Sequence, residues 1–329
     1  MKKLFLHIGT SKTGTTAFQW LCHLNRKKLL KYKVFYPWPI IYSGNSPKHQ
    51  ELLHATIKGS EEEIDKVVKT YLERVPQGFS PEKYLFSSEG FSFHVPEVGG
   101  NLKILKKVLH KYFEEIEVLV VFRDQVSFFD STYRQCLKNP RVKNFPEHGT
   151  DLHPEEFLKH SRFDLLLNYE YVFELYEQIF GAGSVHALAY DVGVNRRLFG
   201  LLCGSSFYEK EIKTEPSLNE SVSNYACLLL RTINSHVANG KKPELLKFLN
   251  IYFPKKGKEP LLLPSKVCEV IGSKYINHNE KLWDSDPNFL FLTEMKKYEL
   301  CDWEVPQDLF VDCLEHLGKF LEPGCRNLQ

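Results

Sequence analysis

The loop formed by residues 9–16 carries the residue types that bind a phosphate group. Its sequence is Gly-Thr-Ser-Lys-Thr-Gly-Thr-Thr. Glycines allow the backbone to turn tightly, and successive N–H groups at the beginning of a helix point at an anion. The lysine adds positive charge, and the hydroxyl groups add hydrogen-bond donors. The loop is therefore predicted to bind a phosphate-containing ligand.

The spacing within this loop differs from that of nucleoside triphosphatases. Gly9 and Gly14 have the separation of the two glycines in the pattern GxxxxGK[ST], but Thr15 follows Gly14 and the lysine is residue 12. A triphosphatase needs its lysine directly after the second glycine to reach the β- and γ-phosphates, and a Ser or Thr to hold Mg²⁺. The pattern disfavours a P-loop kinase, an alternative that Mg²⁺-dependent ATP hydrolysis would support.

A second candidate anion site follows the most apolar strand of the sequence. Arg123 comes directly after the run 117–122, and Ser131 lies eight residues later. An arginine forks onto phosphate oxygens and a serine donates one further hydrogen bond. Open α/β sheets bind ligands at the carboxyl ends of their strands, where Arg123 is expected. A surface arginine and a helix serine that share no ligand are the alternative interpretation.

Two residues are candidates for a general base. Glu89 follows the predicted strand 84–87 and precedes Gly90, so its carboxylate is expected at the same edge of the sheet. His94, five residues later, is the rival. A surface glutamate in a turn and a structural histidine in a loop are the alternatives. His7, inside the first strand, is predicted to be buried and hydrogen-bonded.

These segments together resemble the sulfotransferases that use 3′-phosphoadenosine-5′-phosphosulfate (PAPS). Cytosolic and Golgi members carry a lysine two places before Gly-Thr-Thr, as Lys12 stands before Gly14. A strand-ending arginine with a serine eight residues on matches Arg123 and Ser131, in a context most similar to bacterial, carbohydrate-type members. Glu89 resembles the glutamate base of heparan-type enzymes, whereas simpler cytosolic members use a histidine. The segments 218–223 and 277–282 also resemble the bacterial group.

The resemblance implies a donor site for PAPS, with 3′-phosphoadenosine-5′-phosphate (PAP) as product and no metal requirement. It implies that Lys12 contacts the leaving oxygen and that Glu89, or alternatively His94, is the base. The implied donor-binding residues are Ser11, Lys12, Thr13, Gly14, Thr15, Thr16, Arg123 and Ser131.

The expected reaction moves a sulfuryl group to a hydroxyl or amine, with a carbohydrate or glycoconjugate as the expected acceptor. Small-molecule or lipid sulfotransfer and non-catalytic nucleotide binding are the alternatives. The aromatic residues expected near the acceptor either stack on sugar rings, pack against a lipid or belong to the core: Tyr36, Trp38, Tyr42, Phe91 and Phe93. A basic loop either binds an anionic sugar chain or is solvated: Lys138, Arg141, Lys143 and His148.

The elements that must position these residues alternate between strands and helices. This alternation predicts a three-layer α/β/α fold with a central parallel sheet, and the resemblance implies a P-loop-like sulfotransferase fold. The predicted strands are 3–8, 34–36, 84–87, 117–122 and 185–190. The predicted helices are 17–30, 60–74, 101–113, 126–138, 155–160 and 169–180. A helix-rich carboxyl-terminal half and a single domain over 1–329 are expected.

Composition excludes several classes of protein. The 43 Lys and Arg nearly balance the 41 Asp and Glu, so the net charge of +2 argues against sequence-independent nucleic-acid binding. The apolar run at the start is too short for a signal peptide, and we find no run long enough to cross a membrane. The eight cysteines have no zinc-like spacing and are expected to be reduced thiols. A cytoplasmic protein is therefore expected, with its oligomeric state left open.

Overall fold

The computed structural model describes residues 1–40, 47–143, 145–213, 222–255, 257, 259–276, 279, 282, 317 and 320. These residues divide into two compact units. The first contains the described residues of Met1–Asp124, Asp164–Leu218 and Tyr275–Glu294. The second contains those of Gln125–Phe163, Asn219–Lys274 and Met295–Gln329. A single domain over 1–329 stays a prediction.

A five-stranded parallel sheet forms the centre of the first unit. Its strands are β1 (Lys3–Gly9), β2 (Val34–Phe35), β3 (Lys83–Ser87), β4 (Glu115–Phe122) and β5 (Val185–Ala189). The spatial order is β2-β3-β1-β4-β5, and every neighbouring pair is parallel. All five predicted strands are confirmed. Their apolar composition suits a parallel sheet, which is covered on both faces.

The two faces of the sheet contact separate cores, which confirms the three-layer architecture. Leu4, Leu6 and Ile8 of β1 pack in one core, and Phe5 packs in the other. This division follows from the alternation of side chains along a strand. Helical residues complete both cores.

The helices in chain order are α1 (Thr15–Leu24), α2 (Arg26–Lys31), α3 (Gln50–Lys58), α4 (Glu61–Leu72), α5 (Gly90–Phe93), α6 (Val95–Val98), α7 (Leu102–Leu109), α8 (Gln125–Lys138), α9 (Pro154–Leu158), α10 (Ser161–Leu166), α11 (Tyr169–Phe180), α12 (Val194–Cys203), α13 (Phe207–Glu211), α14 (Asn224–Ile233), α15 (Lys242–Tyr252) and α16 (Ser265–Tyr275). The helices described after residue 195 confirm a helix-rich second half. No helix in the described ranges is long and apolar enough to span a membrane.

The structure differs from the predicted helices at several places. The predicted helix 101–113 is shorter in the structure, where α7 ends at Leu109, and α5, α6 and α10 were not predicted. The predicted helix 17–30 is divided at Asn25, whose side-chain amide donates to the carbonyl of Leu21 at 2.9 Å. The backbone N–H of Asn25 donates to the same carbonyl at 3.1 Å, so this residue caps α1 at the point where α2 begins. Helix α3 was not predicted. The segments 218–223 and 277–282 lie largely outside the described residues, as does Tyr42.

A buried lysine in the second unit makes its stability depend on pH. Lys242 is 3% exposed, and its ammonium group donates to the side-chain oxygen of Asn234. The amide of Asn234 in turn donates to the carbonyls of Leu137 at 3.0 Å and Thr150 at 2.7 Å. Burial, reinforced by the charge of Arg141, lowers the pKa of Lys242 to about 8. The cost of placing a charge in the interior is the physical cause.

We expect the free energy of unfolding to rise with pH because of Lys242. The pKa is about 8 in the folded protein and ordinarily 10.5, so the unfolded chain binds more protons between these values. Between these two pKa values, the free energy of unfolding of the wild type should rise by at most about 3 kcal/mol relative to that of Lys242→Met. Urea unfolding of both proteins at a series of pH values measures it. A constant difference between wild type and variant would contradict the prediction.

Candidate active site

The loops that follow four strands meet at the carboxyl edge of the sheet. Backbone hydrogen bonds join them: Ser88 N–H to His7 O at 2.9 Å, Thr10 N–H to Val121 O at 2.9 Å, and Tyr190 N–H to Phe122 O at 2.7 Å. β1 is central, with β3 and β2 on one side and β4 and β5 on the other. The edge beside β1 is therefore the topological switch point, where open α/β sheets bind ligands.

The phosphate loop lies between β1 and α1, as predicted. Its hydroxyl groups hold the loop itself: Thr13 Oγ1 donates to the carbonyl of Thr10 at 2.6 Å, and Thr10 Oγ1 donates to that of Val121 at 2.9 Å. Gly14 has a left-handed backbone, with φ of 75°, and α1 then begins at Thr15 without a side-chain cap. The first N–H groups of α1 thus form the kind of helix terminus that binds an anion.

Lys12 lies in this loop with a left-handed backbone, with φ of 64°. Its side chain is half-buried. Its carbonyl accepts a hydrogen bond from Nη1 of Arg123 at 3.2 Å. The structure therefore brings together the lysine of the loop and the arginine that ends β4.

Arg123 is held from two sides. The hydroxyl of Tyr169 donates to its carbonyl at 2.6 Å, and its guanidinium carbon lies 5.4 Å from the centre of the Tyr190 ring. Ser131 lies on α8 and is half-buried, in the second unit. Its participation with Arg123 in one anion site stays a prediction.

Glu89 has hydrogen-bond partners on both carboxylate oxygens. Lys48 Nζ donates to Oε1 at 3.0 Å, and Gln19 Nε2 donates to Oε2 at 3.0 Å. The Glu89 side chain is 18% exposed. Burial acts to raise its pKa, but the charge of Lys48 and the hydrogen bonds from Gln19 and Lys48 outweigh it, so the pKa is lowered. Glu89 is consequently ionised at neutral pH, as a base must be.

The backbone of Glu89 packs directly against the beginning of the phosphate loop. A Cβ atom built on Gly9 would lie 3.0 Å from Cα of Glu89 and 2.8 Å from Oγ of Ser92. Gly9 also has a positive φ of 110°. The absence of a side chain at Gly9 therefore allows the candidate base and the candidate phosphate site to lie next to each other.

His7 and His94 occupy different environments. His7 is fully buried, and burial lowers its pKa to about 4, so it is neutral at physiological pH. Its Nδ1 lies 2.7 Å from the hydroxyl of Ser87, which confirms a buried, hydrogen-bonded histidine. His94 is half-buried, with Nδ1 3.6 Å from Oε2 of Glu97.

The aromatic and basic candidates divide between the interior and the surface. Tyr36 and Phe91 are buried and Phe93 is half-buried, whereas Trp38 is 40% exposed. In the basic loop, Arg141 pairs with Asp151 at 3.3 Å and His148 Nε2 lies 3.0 Å from the amide of Asn139. Core packing therefore explains Tyr36 and Phe91, and Trp38 is the exposed aromatic among the candidates that the structure describes.

Sequence reasoning missed three contributors to this edge: Gln19, Lys48 and Tyr190. Gln19 is an interior position of an apolar helix, and Lys48 lies in a loop well before Glu89. Neither position carries a local pattern, because each meets Glu89 only through the fold. Tyr190 follows β5 directly, and its place at the end of the predicted strand 185–190 was the available signal.

Comparisons with known proteins complete the description. No protein-family model matches the sequence, and no curated protein matches it. Among solved structures, the chain is similar to the crystal structure of a sulfotransferase from Alicyclobacillus acidocaldarius, at 13% sequence identity and a TM-score of 0.41. The alignment covers 87% of this chain and 97% of that chain.

Proposed function

We propose that this protein is a PAPS-dependent sulfotransferase. The observation that carries the proposal is the meeting of Lys12, Arg123 and Glu89 around the carboxyl end of β1. Arg123 bonds to the backbone of Lys12, and Glu89 packs against Gly9. Two cationic side chains beside an uncapped helix terminus suit a donor with several anionic groups. An ionised carboxylate alongside suits an acceptor that must lose a proton.

We assign the phosphates of the sulfuryl donor to the residues that the sequence resemblance implies. The α1 terminus and residues 11–16 would hold the 5′-phosphate, with Thr16 half-buried and Thr15 buried. Arg123, assisted by Ser131, would bind the 3′-phosphate. In this proposal hydrogen bonds and the positive charges of Lys12 and Arg123 hold the phosphates, so the donor site is proposed to require no metal ion.

The proposed reaction is an in-line transfer at sulfur. The acceptor oxygen forms a bond to sulfur, and its proton passes to the Glu89 carboxylate. The bond between sulfur and the 5′-phosphate oxygen breaks, and its electron pair stays on that oxygen. Lys12 stabilises the developing negative charge there. His94 is the alternative base within the same reaction.

The proposed acceptor is a hydroxyl or amine of a carbohydrate or glycoconjugate. Trp38 supports a sugar, because an exposed indole can stack on a pyranose ring. Its neighbour Pro37 accepts a hydrogen bond from the ring of His49 at 3.0 Å, and Lys48 precedes that histidine and contacts Glu89. A small-molecule or lipid acceptor is the second candidate, since the same exposed ring can contact other apolar groups.

Calorimetric titration with PAP, AMP and ATP, with and without Mg²⁺, tests the proposal. Tight binding of PAP that needs no metal, together with weak binding of AMP, is the expected result. A preference for ATP with a requirement for Mg²⁺ would replace the sulfotransferase proposal with a kinase. Tight binding of PAP without sulfuryl transfer to any acceptor would favour a non-catalytic nucleotide-binding protein.

The variant Arg123→Ala tests the role assigned to the arginine. We expect its affinity for PAP to fall by about 100-fold, because a charge-assisted pair with the 3′-phosphate is lost. Adenosine-5′-phosphosulfate lacks that phosphate, and its affinity should fall far less. The control is Arg196→Ala, at an exposed arginine on α12. Equal losses for both nucleotides would show that Arg123 supports the Lys12 loop and does not read the 3′-phosphate.

A further inference from the structure

A chain of hydrogen bonds connects Glu89 with the interior of the sheet. Gln19 Nε2, on α1, lies 3.0 Å from Glu89 Oε2 and 3.1 Å from the hydroxyl of Ser87. That hydroxyl lies 2.7 Å from Nδ1 of His7. Ser87 ends β3 and His7 is its register partner in β1. The chain therefore links the candidate base to β3 and to β1, the central strand of the sheet.

The direction of each hydrogen bond follows from the chemistry of the groups. The ionised carboxylate of Glu89 can only accept, so Gln19 must present its NH₂ group there. The same NH₂ group donates to the oxygen of the Ser87 hydroxyl, which also forms a hydrogen bond with Nδ1 of His7. Burial lowers the pKa of His7 to about 4, so its ring is neutral at physiological pH. Within the described residues Nε2 has no hydrogen-bond partner, and the ring lies edge-on to Phe18.

This arrangement gives the Gln19 amide one orientation. The three groups that follow Glu89 in the chain are fully buried: His7, Gln19 and Ser87 are each 0% exposed. Water is therefore a poor substitute for any of the three partners, and a reversed amide would place its oxygen against the carboxylate. The fixed amide, opposite Lys48, determines the plane of the Glu89 carboxylate.

We propose that Gln19 is a positioning residue for Glu89, and that Ser87 and His7 hold Gln19 in place. Gln19 and Lys48 each occupy one side of the carboxylate, which leaves its remaining lone pairs for the acceptor hydroxyl. Gln19 does not touch the reacting atoms in this assignment. The inference rests on the proposed function for its catalytic meaning, but the hydrogen-bond chain can be tested without it.

Among the described residues, the charged and titratable groups that interact electrostatically with Glu89 include Lys48, His7 and Tyr36. Burial, together with nearby negative groups, raises the pKa of Tyr36, so it stays neutral. His7 is neutral above about pH 4. Lys48 is thus the cation that balances Glu89, and Gln19 contributes through a hydrogen bond that favours the ionised carboxylate.

The variant Gln19→Leu tests the proposal because it keeps the apolar bulk on α1 and removes the amide. Carboxyl carbon NMR of protein labelled in glutamate reports the pKa of Glu89, whose signal is assigned by its loss in Glu89→Gln. We expect the pKa of Glu89 to rise in Gln19→Leu. We expect kcat to fall about tenfold, with the acidic limb of its pH profile moved to higher pH. The KM for PAPS should change by less than about twofold.

Two further variants keep the test decisive. Ser87→Ala keeps Gln19 and removes the hydroxyl that accepts its hydrogen bond. It should raise the pKa of Glu89 by less than Gln19→Leu does. It also replaces Gln19→Leu in the test if that variant fails to fold. Gln77→Leu, at an exposed position, should change nothing and is the control. An unaltered Glu89 pKa in both network variants, with unaltered kcat, would overturn the proposal. If the pKa of Glu89 rises in these variants but the wild-type protein transfers no sulfuryl group, the positioning role is supported and only the proposed sulfotransferase function is overturned.

Discussion

Replacing Glu89 with glutamine is expected to lower kcat by about 1,000-fold, because the neutral amide cannot take the acceptor proton. Glutamine has nearly the same shape as glutamate, but its single amide oxygen can accept the hydrogen bond from Lys48 or from Gln19 and not from both. The fold should therefore lose some stability, whereas the PAP affinity should be preserved. Steady-state kinetics with saturating PAPS measures the loss, and calorimetry with PAP verifies the intact donor site.

His94→Ala separates the two candidate bases. The His94 ring is near Glu97 and half-buried, so its removal should be tolerated by the fold. If Glu89 is the base, the alanine variant should keep turnover within a few-fold of wild type. Full activity in Glu89→Gln combined with a large loss in His94→Ala would transfer the role of base to the histidine.

Replacing Lys12 with methionine is expected to lower kcat by a similar factor, about 100- to 1,000-fold. Methionine is unbranched and one heavy atom shorter than lysine, and it removes the charge that stabilises the leaving oxygen in the proposed reaction. The left-handed backbone at this position is strained equally by either residue, so the loop should keep its conformation. Single-turnover transfer from PAPS measures the chemical step directly.

The matched control is Lys27→Met, at an exposed position on α2. It removes the same charge from the same unit of the protein and should leave turnover unchanged. Normal single-turnover rates in Lys12→Met would show that the lysine does not act on the leaving group.

The acidity of the acceptor distinguishes the two variants. In the proposed reaction Glu89 takes the acceptor proton, so an acceptor with a more acidic hydroxyl, such as a phenol, needs less help from a base. Such an acceptor should partly restore turnover in Glu89→Gln. In the same proposal Lys12 acts on the leaving oxygen, so this acceptor should not restore turnover in Lys12→Met. Equal restoration of both variants would contradict this division of roles.

The sequence alone was enough to predict the architecture that positions the site. Continuous apolar runs such as 117–122 need cover on both faces, which only a central parallel sheet provides. The predicted strands end within two residues of those observed, and the loop 9–16 lies between a strand and a helix as predicted. Strand ends in a parallel sheet share an edge, so the sequence predicted Arg123 and Glu89 at the same edge as the loop. The structure shows that β3 and β4 are the two neighbours of β1, which places both residues next to the loop.

The partners of the candidate base were decided by the tertiary structure. Gln19 and Lys48 are 70 and 41 residues from Glu89 along the chain. Their side chains carry no periodic or motif signal for this contact. They meet Glu89 because α1 and the segment before α3 both return to the same edge of the sheet. Likewise, the sequence left Glu89 as either a base or a surface residue, and only its burial beside Lys48 shows a fixed, ionised carboxylate.

The physical reason for this division is the range of the interactions. Hydrophobic periodicity and glycine placement act over a few residues, so a strand, a loop and their order can be read along the chain. A carboxylate's protonation depends on burial and on charges within a few ångströms in space, whichever part of the chain supplies them. The sequence by itself therefore determined the sheet and the residue types at its edge. Only the tertiary structure decided that Glu89 is held by Gln19 and Lys48.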